Sequence, residues 1–280
     1  MSNILIVGAT GLIGAHLVNT LADNPDHRVI AATRDPSGAH ARPNVERRRL
    51  DLRDSSTYPK AIEGVQRAFV LAPTGHSDAV GLVGPLLDAL VEGGAEHVVL
   101  MTANGVQFDD NLPLRRLELH LEASGVSHTI LRPGWFMQNF QTFWSEGIKR
   151  EDTIWVPAAD GLTAFVDTRD IAEAAAAALE GKVQGAYNLT GPQALTYGQA
   201  AQALSEAVGR PLSYEHAEPE AFGARLSEMG MDEGYVRTMD FLFQSVRDGF
   251  AAPISHDVEA LTGKTPRTLE TYARDHAHLL

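Results

Sequence analysis

Residues 1–14 read Met-Ser-Asn-Ile-Leu-Ile-Val-Gly-Ala-Thr-Gly-Leu-Ile-Gly, and this stretch decides the fold. An apolar run at residues 4–7 ends at Gly8, and Gly11 and Gly14 follow at regular spacing before a helical pattern. A strand, a glycine-rich turn and a helix in that order predict a dinucleotide-binding loop. Gly8 would allow the tight turn, Gly11 would let the backbone approach a pyrophosphate, and Gly14 would let helix and strand pack closely. The alternative is an ordinary glycine-rich turn.

Strands and helices alternate along the first two-thirds of the chain, which is typical of βαβ units in a parallel sheet with helices on both faces. The predicted strands are residues 3–7, 28–33, 46–50, 67–71, 97–102 and 128–131. The predicted helices among them are residues 12–22, 80–92 and 113–123. We therefore expect an α/β fold, a Rossmann-type doubly wound parallel sheet.

The pattern changes after Arg132, where an aromatic stretch lacks clean periodicity. Beyond it the sequence predicts strands at residues 163–167, 186–189 and 212–216, and helices at 170–179 and 197–208. Asp170 is expected to cap the alanine-rich helix that follows it. The resulting division is a nucleotide-binding domain at residues 1–155, with a contribution from about 163–190, and a smaller, mostly helical C-terminal lobe at 191–280.

Composition excludes several classes of protein. The chain has 280 residues and a formal net charge of −13, and such a surface repels phosphate backbones, so no nucleic-acid partner is expected. The arginines at 47–49 form a short basic cluster that we interpret as a solvated strand face. The absence of cysteine excludes disulfides and thiolate metal sites, and no metal site is predicted.

The same composition bears on location. The sequence contains no run of eighteen apolar residues, so no membrane helix is predicted. A strand is predicted to start within three residues of the N-terminus, so no signal peptide is expected. We expect a cytoplasmic protein without a membrane partner.

The residues after the second strand decide which dinucleotide binds. Arg34 lies 20 positions after Gly14, close to the expected spacing, and its planar guanidinium suits the 2′-phosphate of NADP. Asp35 would instead serve the ribose of NAD if the strand ended one residue later. We favour NADP and keep NAD as the alternative.

Two further strand ends contribute candidate cofactor residues. Asp51 follows the third strand, where it lies near the adenine or caps the next helix. Leu71, Ala72 and Pro73 end the fourth strand at the carboxyl edge of the sheet, where the binding crevice of such folds lies. The alternative for these three residues is a simple loop.

Several stretches together resemble the NmrA-like group of atypical short-chain dehydrogenases/reductases, which includes NADP-binding regulators, a quinone oxidoreductase and a triphenylmethane dye reductase. The resemblance spans essentially the whole chain. It rests on the glycine loop, on Glu118, on Leu131-Arg132-Pro133-Gly134-Trp135-Phe136-Met137-Gln138-Asn139, and on residues 124–125, 164–167, 169–172 and 187–192.

The resemblance implies roles at matching positions. Cofactor contacts would come from Thr10, Gly11, Leu12 and Ile13 at the pyrophosphate, Arg34 at the 2′-phosphate, Thr102 and Ala103 at the nicotinamide ribose, and Pro133, Gly134 and Phe136 beside the nicotinamide. The substrate pocket would be lined by Trp135, Met137, Asn139 and Phe140. The alternative for these aromatic residues is core packing.

One expected feature of short-chain dehydrogenases is missing. Their Tyr-x-x-x-Lys pair exchanges a proton with the substrate, and counting back from Glu118 puts Asp110 and Leu114 at the corresponding positions. Many NmrA-like members keep a histidine or lysine at the second position, whereas this chain has leucine. An epimerase or dehydratase would need the pair and is disfavoured.

Two functions are compatible with that loss. The first is a reductase for a quinone-like or other conjugated small-molecule acceptor, which needs little acid catalysis; Asn104, His120 or His76 could assist as polar groups, and no catalytic residue is assigned. The second is an NADP(H)-binding redox sensor with a regulatory protein partner. The apolar stretch 218–249 is a candidate pocket lid or homodimer face, with core packing as the alternative.

Overall fold

The computed structural model describes residues 2–37, 42–73 and 78–280. Seven strands form one mostly parallel sheet in the order β3-β2-β1-β4-β5-β6-β8. Their bounds are β1 (Ser2–Ile6), β2 (His27–Thr33), β3 (Val45–Arg49), β4 (Arg67–Leu71), β5 (His97–Met101), β6 (His128–Pro133) and β8 (Gly185–Leu189). The strand order reverses between β1 and β4, and this switch point opens a crevice at the carboxyl ends of the strands. The predicted Rossmann-type α/β fold is confirmed.

The helices of the described part of the chain follow the same alternation. They are α1 (Leu12–Ala22), α2 (Tyr58–Ile62), α3 (Ala79–Glu92), α4 (Pro113–Ala123), α5 (Ser145–Glu151), α6 (Thr168–Gly181), α7 (Tyr197–Val208), α8 (Pro219–Glu228), α9 (Glu233–Arg247), α10 (Asp257–Thr262) and α11 (Leu269–His276). The helices α1, α4 and α7 begin and end at the predicted residues. Within the described ranges, no helix combines the length and the apolar character that crossing a bilayer requires.

Alternate residues of the central strands face opposite layers of helices. Leu5, Val70 and Leu100 pack in one core with Leu86 of α3 and Leu117 of α4. On the other face, α1 and α6 pack against each other, and α6 also contacts β4 and β5. The strands are therefore buried on both faces, which explains why they read as nearly continuous apolar runs.

The chain divides into two compact units. The first comprises Met1–Pro133, Thr168–Asn188 and Ala260–Gly263, and the second Gly134–Asp167, Leu189–Glu259 and Lys264–Leu280. The boundary that the sequence suggested after residue 155 falls inside the second unit. The reason is that Phe140, Trp144 and Ile148 pack into the core of that unit.

The second unit contains a small parallel sheet of β7 (Thr153–Val156) and β9 (Ser213–His216). The predicted strand at 163–167 is wrong. Thr163 pairs with Leu195 and Val166 with Phe136 only as isolated bridges, while Ala164 donates its N–H to the carbonyl of Ala251 at 2.9 Å. Because successive residues bond to different segments, no ladder forms.

The predicted start of one helix also needs correction. Helix α6 begins at Thr168, so Asp170 lies in its first turn and is not its N-cap.

The stretch 218–249 contains α8 and α9, with Phe222, Met239 and Phe243 buried in the second core and Phe241 exposed. Core packing, the alternative for this stretch, therefore holds for those three side chains.

Candidate functional site

The glycine loop joins β1 to α1 in a conformation that requires glycine. Gly8 has a φ of +72°, and its carbonyl accepts the N–H of Gly11 at 2.9 Å. A Cβ added to Gly14 would lie 2.1 Å from the oxygen of Gly8, so the helix could not pack this close to the strand with any other residue. Gly8 therefore occupies the predicted tight turn, and Gly14 the predicted close contact between helix and strand.

Helix α1 begins without a side-chain cap. Gly11 is its N-cap and has no side chain to accept a hydrogen bond, and the first turn contains no acidic residue. The first amides of a helix have no partner within the helix, and the helix dipole adds partial positive charge there. Thr10 and Leu12 are exposed beside these amides, whereas the Ile13 side chain is buried in the core. This end of α1 can therefore bind an anionic group through its backbone.

A cleft of about 290 Å³ lies beside the loop at the ends of β2 and β3. Its lining includes Thr10, Asn19, Thr33 and Arg47. Arg47 is exposed on β3 and donates from Nη1 to the carbonyl of Ser37 at 2.7 Å. Arg47 is exposed, as predicted for the solvated strand face, but its place in this cleft was not predicted from the sequence.

Arg34 directly follows the last residue of β2, Thr33, as the sequence predicted. Its side chain is exposed and makes no hydrogen bond to the residues that the structure describes. Asp35 has a different role, since its carboxylate accepts the N–H of Ser37 at 2.9 Å in a tight turn. That backbone hydrogen bond holds the pKa of Asp35 below its usual value. The strand does not extend the extra residue that an Asp35 contact to NAD would need.

Asp51 and the end of β4 border the same edge of the sheet. The capping role left open for Asp51 is held by Asp54, whose carboxylate accepts the N–H of Ser56 at 3.2 Å at the start of a short 3₁₀ helix. The Leu71 side chain lies against the loop, 3.3 Å from where a Cβ of Gly8 would be. Ala72 is half-buried and Pro73 is exposed, whereas His76 lies outside the described residues.

Thr102, just beyond β5, belongs to a buried charged cluster. Its hydroxyl donates to Glu118 Oε1 at 2.6 Å, and Arg132 of β6 donates to both oxygens of Glu118 at 2.9 and 2.7 Å. Arg115 adds a hydrogen bond to Oε2 at 2.8 Å. Burial opposes ionisation of Glu118, but these donors outweigh it and lower the pKa of the carboxyl. The sequence could not predict this cluster, because Thr102 and Arg132 lie on other elements than Glu118 and Arg115.

The loop after Thr102 carries Ala103 and Asn104, both half-buried. The N–H of Asn104 donates to the carbonyl of Pro133 at 2.9 Å, which ties the loop to the end of β6. The Asn104 side chain accepts a hydrogen bond from Gln107 Nε2 at 3.4 Å. Gln107 is a second polar residue of this edge, and it was not predicted from the sequence.

The positions of the missing proton-transfer pair differ in structure as well as in residue type. Asp110 lies in the loop before α4, is exposed and forms an ion pair with Arg115 at 3.1 Å, and Leu114 lies in the first turn of the helix. A tyrosine at 110 would therefore not share a helix face with residue 114. No group of three or more His, Cys, Asp or Glu residues suited to a metal occurs in the described ranges.

The predicted substrate residues lie in the second unit. Met137 and Phe140 are buried in its aromatic core, and Asn139 is nearly so. Trp135 and Phe136 stay half-exposed, and the Trp135 indole stacks on Trp144 with 5.9 Å between ring centroids. Met137 and Phe140 thus occupy the core positions that the sequence left open as the alternative.

The sequence profile of the NmrA-like family matches residues 1–273. The chain belongs to the NmrA-like family. One relative is the NAD(P)H azoreductase of Xenophilus azovorans, which is 32% identical over 282 residues. The alignment covers 98% of this chain and 98% of the azoreductase.

Two solved structures have the same fold at lower identity. The NADPH-dependent quinone oxidoreductase QOR2 of Escherichia coli, complexed with NADPH, superposes with a TM-score of 0.84 at 22% identity, covering 97% of this chain and 99% of that one. The triphenylmethane reductase of Citrobacter sp., complexed with NADP(H), superposes with a TM-score of 0.81 at 22% identity, covering 99% and 100%.

Proposed function

We propose that the chain binds a nicotinamide dinucleotide at the carboxyl edge of its sheet and prefers NADPH to NADH. The observation that carries the proposal is the start of α1, where Gly11 leaves the first amides without a side-chain cap. Unpaired amides at the positive end of a helix dipole suit a pyrophosphate. Gly8 and Gly14 support this role, because Gly8 permits the turn at a φ of +72° and Gly14 leaves room for the helix to start close to the strand.

The preference for NADPH rests on Arg34, directly after β2, and on Arg47, which lines the cleft beside the glycine loop. Arg34 and Arg47 can present planar guanidinium groups to a 2′-phosphate, whereas the Asp35 carboxylate is occupied by Ser37. The quinone oxidoreductase and the triphenylmethane reductase named above were crystallised with NADPH and NADP(H), which supports the same choice. The azoreductase is named for both nicotinamide cofactors, so NADH remains the weaker alternative.

We further infer that the chain passes hydride from NADPH to a quinone-like or other conjugated acceptor. When bound, NADPH supplies the hydride. The chain itself presents no phenol at position 110, where the exposed Asp110 pairs with Arg115. Conjugated acceptors fit such a site, because an extended π-system accepts the electron pair and water can supply the proton. The azoreductase, quinone oxidoreductase and dye reductase relatives all act on acceptors of this kind, by their names.

The acceptor side of the proposal rests on Trp135. Its half-exposed indole stacks on Trp144 and lies 5.0 Å from the ring of Phe243, so it offers an aromatic surface to a planar acceptor. Phe136, which is partly exposed, is the other member of the predicted set that we retain near the acceptor, whereas Asn139 is buried. The fully buried Met137 and Phe140 support this surface from the core.

Two measurements test the proposal on the purified protein. Fluorescence titration should give tighter binding for NADPH than for NADH, and steady oxidation of NADPH should follow addition of a naphthoquinone, an azo dye or a triphenylmethane dye. Tighter NADH binding would contradict the role of Arg34.

Firm NADPH binding without turnover of any acceptor would favour a redox-sensing regulator with a protein partner. A homodimer stays a prediction, which size-exclusion chromatography with light scattering can check.

A further inference from the structure

The side-chain amides of Asn104 and Gln107 form a hydrogen-bonded pair beyond the carboxyl end of β5. Gln107 Nε2 donates to Asn104 Oδ1 at 3.4 Å, and Gln107 Oε1 accepts the N–H of Gly105 at 3.0 Å. We propose that Asn104 is a catalytic residue whose side-chain N–H donates to the acceptor atom on which negative charge develops. Gln107 is the positioning residue that aims this N–H. The inference rests on the proposed reductase function.

The backbone of Gly105 fixes the direction of both amides. A backbone N–H can only donate, so the Gln107 atom that faces it must be the carbonyl oxygen. The Gln107 NH₂ then faces Asn104, which must present its own oxygen in return. Asn104 Nδ2 is left pointing away from the pair, with no hydrogen-bond partner among the described residues. Orientation of an amide is otherwise ambiguous, because its oxygen and nitrogen are nearly the same size.

The backbone around the pair is also held in place. The N–H of Asn104 donates to the carbonyl of Pro133 at the end of β6, at 2.9 Å. Gly105 has a φ of +96°, a conformation that favours glycine and turns the chain so that its N–H meets Gln107. Both side chains are half-buried, so the free N–H of Asn104 is anchored and still accessible.

Other polar side chains of this edge are already committed. The Thr102 hydroxyl donates to Glu118 at 2.6 Å, and Arg132 is bound to the same carboxylate. His120 lies in the last turn of α4, which leads to the amino end of β6, and its ring lies 2.7 Å from the carboxylate of Asp88 on α3. Asn104 is therefore the member of the predicted polar set, among the described residues, that keeps a donor for a ligand. In a doubly wound fold, β4, β5 and β6 form the half that receives the second nucleotide, here the nicotinamide.

The chemistry of quinone reduction needs such a donor. When bound, NADPH would supply the hydride, so that its nicotinamide C4–H bond breaks and it becomes NADP⁺. The new bond would form to one carbonyl oxygen of the quinone, and the ring electrons would shift so that negative charge collects on the other carbonyl oxygen. The oxyanion is stabilised by the Asn104 N–H, which keeps its own proton, and water then protonates the oxygen to give the hydroquinone. An azo group follows the same balance, with the charge on the second nitrogen.

A triphenylmethane dye cation behaves differently. Hydride adds to its central carbon and cancels a positive charge, so no anion develops and no donor is needed. The role of Asn104 should therefore appear with quinones and disappear with the dye cation. A purely structural role would affect both acceptors equally.

The experiment compares full-length wild type with Asn104→Ala, Gln107→Glu and the double variant. At position 107 a glutamate would accept from Gly105 with one oxygen and from Asn104 Nδ2 with the other, so the Asn104 amide would turn its oxygen outward. We expect each single variant to lower kcat with a naphthoquinone about 100-fold, the loss typical of removing one oxyanion donor. The double variant should lose no more. NADPH affinity and kcat with the dye cation should not fall, and Gln202→Ala on the exposed face of α7 serves as the control.

A second readout does not depend on turnover. In an absorbance titration, 4-nitrophenol bound to the protein should have a lower pKa in wild type than in Asn104→Ala, because the N–H stabilises the phenolate. Equal values in the two proteins, unchanged quinone turnover in Asn104→Ala, or equal losses with quinone and dye would each overturn the inference. If wild type binds NADPH but reduces no acceptor, the reductase proposal itself fails, and this inference falls with it.

Discussion

Glu118 of α4 accepts two hydrogen bonds from Arg132 of β6, at 2.9 Å to Nε and 2.7 Å to Nη2, while its side chain is fully buried. The pair locks the helix to the strand beside the loop that carries Thr102 and Asn104. A buried carboxylate is stable only when its oxygens are satisfied, and here three side chains donate to it. The buried charged cluster therefore holds Thr102, the start of the loop that carries Asn104, in a fixed position.

Removal of that charge should destabilise the fold strongly. Glu118→Gln leaves the buried Arg132 without its partner, and we expect a loss of about 3–5 kcal/mol in the free energy of unfolding. Glu122→Gln is the matched control, because Glu122 is bound to the same Arg115 at 3.0 Å but lies at the surface, where an ion pair contributes less than about 1 kcal/mol. Urea denaturation measures both. Similar losses in the two variants would contradict the account of the cluster.

The buried histidine of β5 should make stability depend on pH. His97 lies 2.9 Å from Ser127 Oγ and 3.0 Å from Thr129 Oγ1, and burial lowers its pKa from 6.5 to about 4. Between these two values the unfolded chain binds a proton that the native state does not. Stability should therefore be complete above pH 6.5 and fall by about 3 kcal/mol as the pH is lowered to 4.

Substitution of the histidine isolates this effect. His97→Gln should flatten the decline of stability over that pH window, whatever its cost at neutral pH. His278→Gln, at an exposed position near the C-terminus, should leave the decline as in wild type. Unfolding curves measured at half-unit pH steps give the answer, and a slope that survives in His97→Gln would assign the effect to other groups.

Arg34 and Arg47 should control the choice of cofactor. Arg34→Ala and Arg47→Ala should each weaken NADPH binding roughly 10- to 100-fold, because a charge-assisted hydrogen bond to the 2′-phosphate is lost. NADH lacks that phosphate, so its affinity should change little. Arg49→Ala, also exposed on β3 and 4.0 Å from Asp54, is the control. Titrations by fluorescence decide this, and equal losses for both cofactors would place the arginines elsewhere in the site.

The loop glycines should separate folding from binding. Gly11→Val should abolish cofactor binding with the fold intact, since a Cβ there meets only the Gly8 oxygen at 3.3 Å while the side chain enters the pyrophosphate space. Gly14→Ala should instead damage the fold, because its Cβ would approach that oxygen to 2.1 Å. Circular dichroism and NADPH titration measure the two properties. Unchanged NADPH affinity in Gly11→Val would mean that the loop is only a turn.

The fold could be predicted from the sequence wherever local pattern and global packing agree. Apolar strands and amphipathic helices of ordinary length predicted α1, α4 and α7 to the residue and the strands of the seven-stranded sheet within one or two residues, whereas β7, which pairs parallel with β9, was not predicted. The prediction was wrong at 163–167, where the run is apolar but its amides bond to three different segments. Such pairing depends on residues far along the chain, so no local pattern reveals it.

The candidate site could be predicted only in part, because several of its contacts also depend on residues far along the chain. The position of Arg34 follows from the end of β2, a local feature, whereas Arg47 enters the cleft because β3 pairs with β2. The Asp54 cap and the Gln107 contact to Asn104 depend on turn geometry at single residues. Motifs therefore indicated the edge of the sheet where ligands bind, and the structure added the side chains that complete it.

The central claim is that this chain transfers hydride from bound NADPH to a conjugated acceptor. A single-turnover experiment tests it most directly: the protein is loaded with NADPH deuterated at C4, mixed with a naphthoquinone, and followed by absorbance and fluorescence. We expect rapid oxidation of the bound cofactor, slower with deuterium than with hydrogen at the transferred position. Bound NADPH that persists unchanged, with the naphthoquinone and then with azo and triphenylmethane dyes, would contradict the claim.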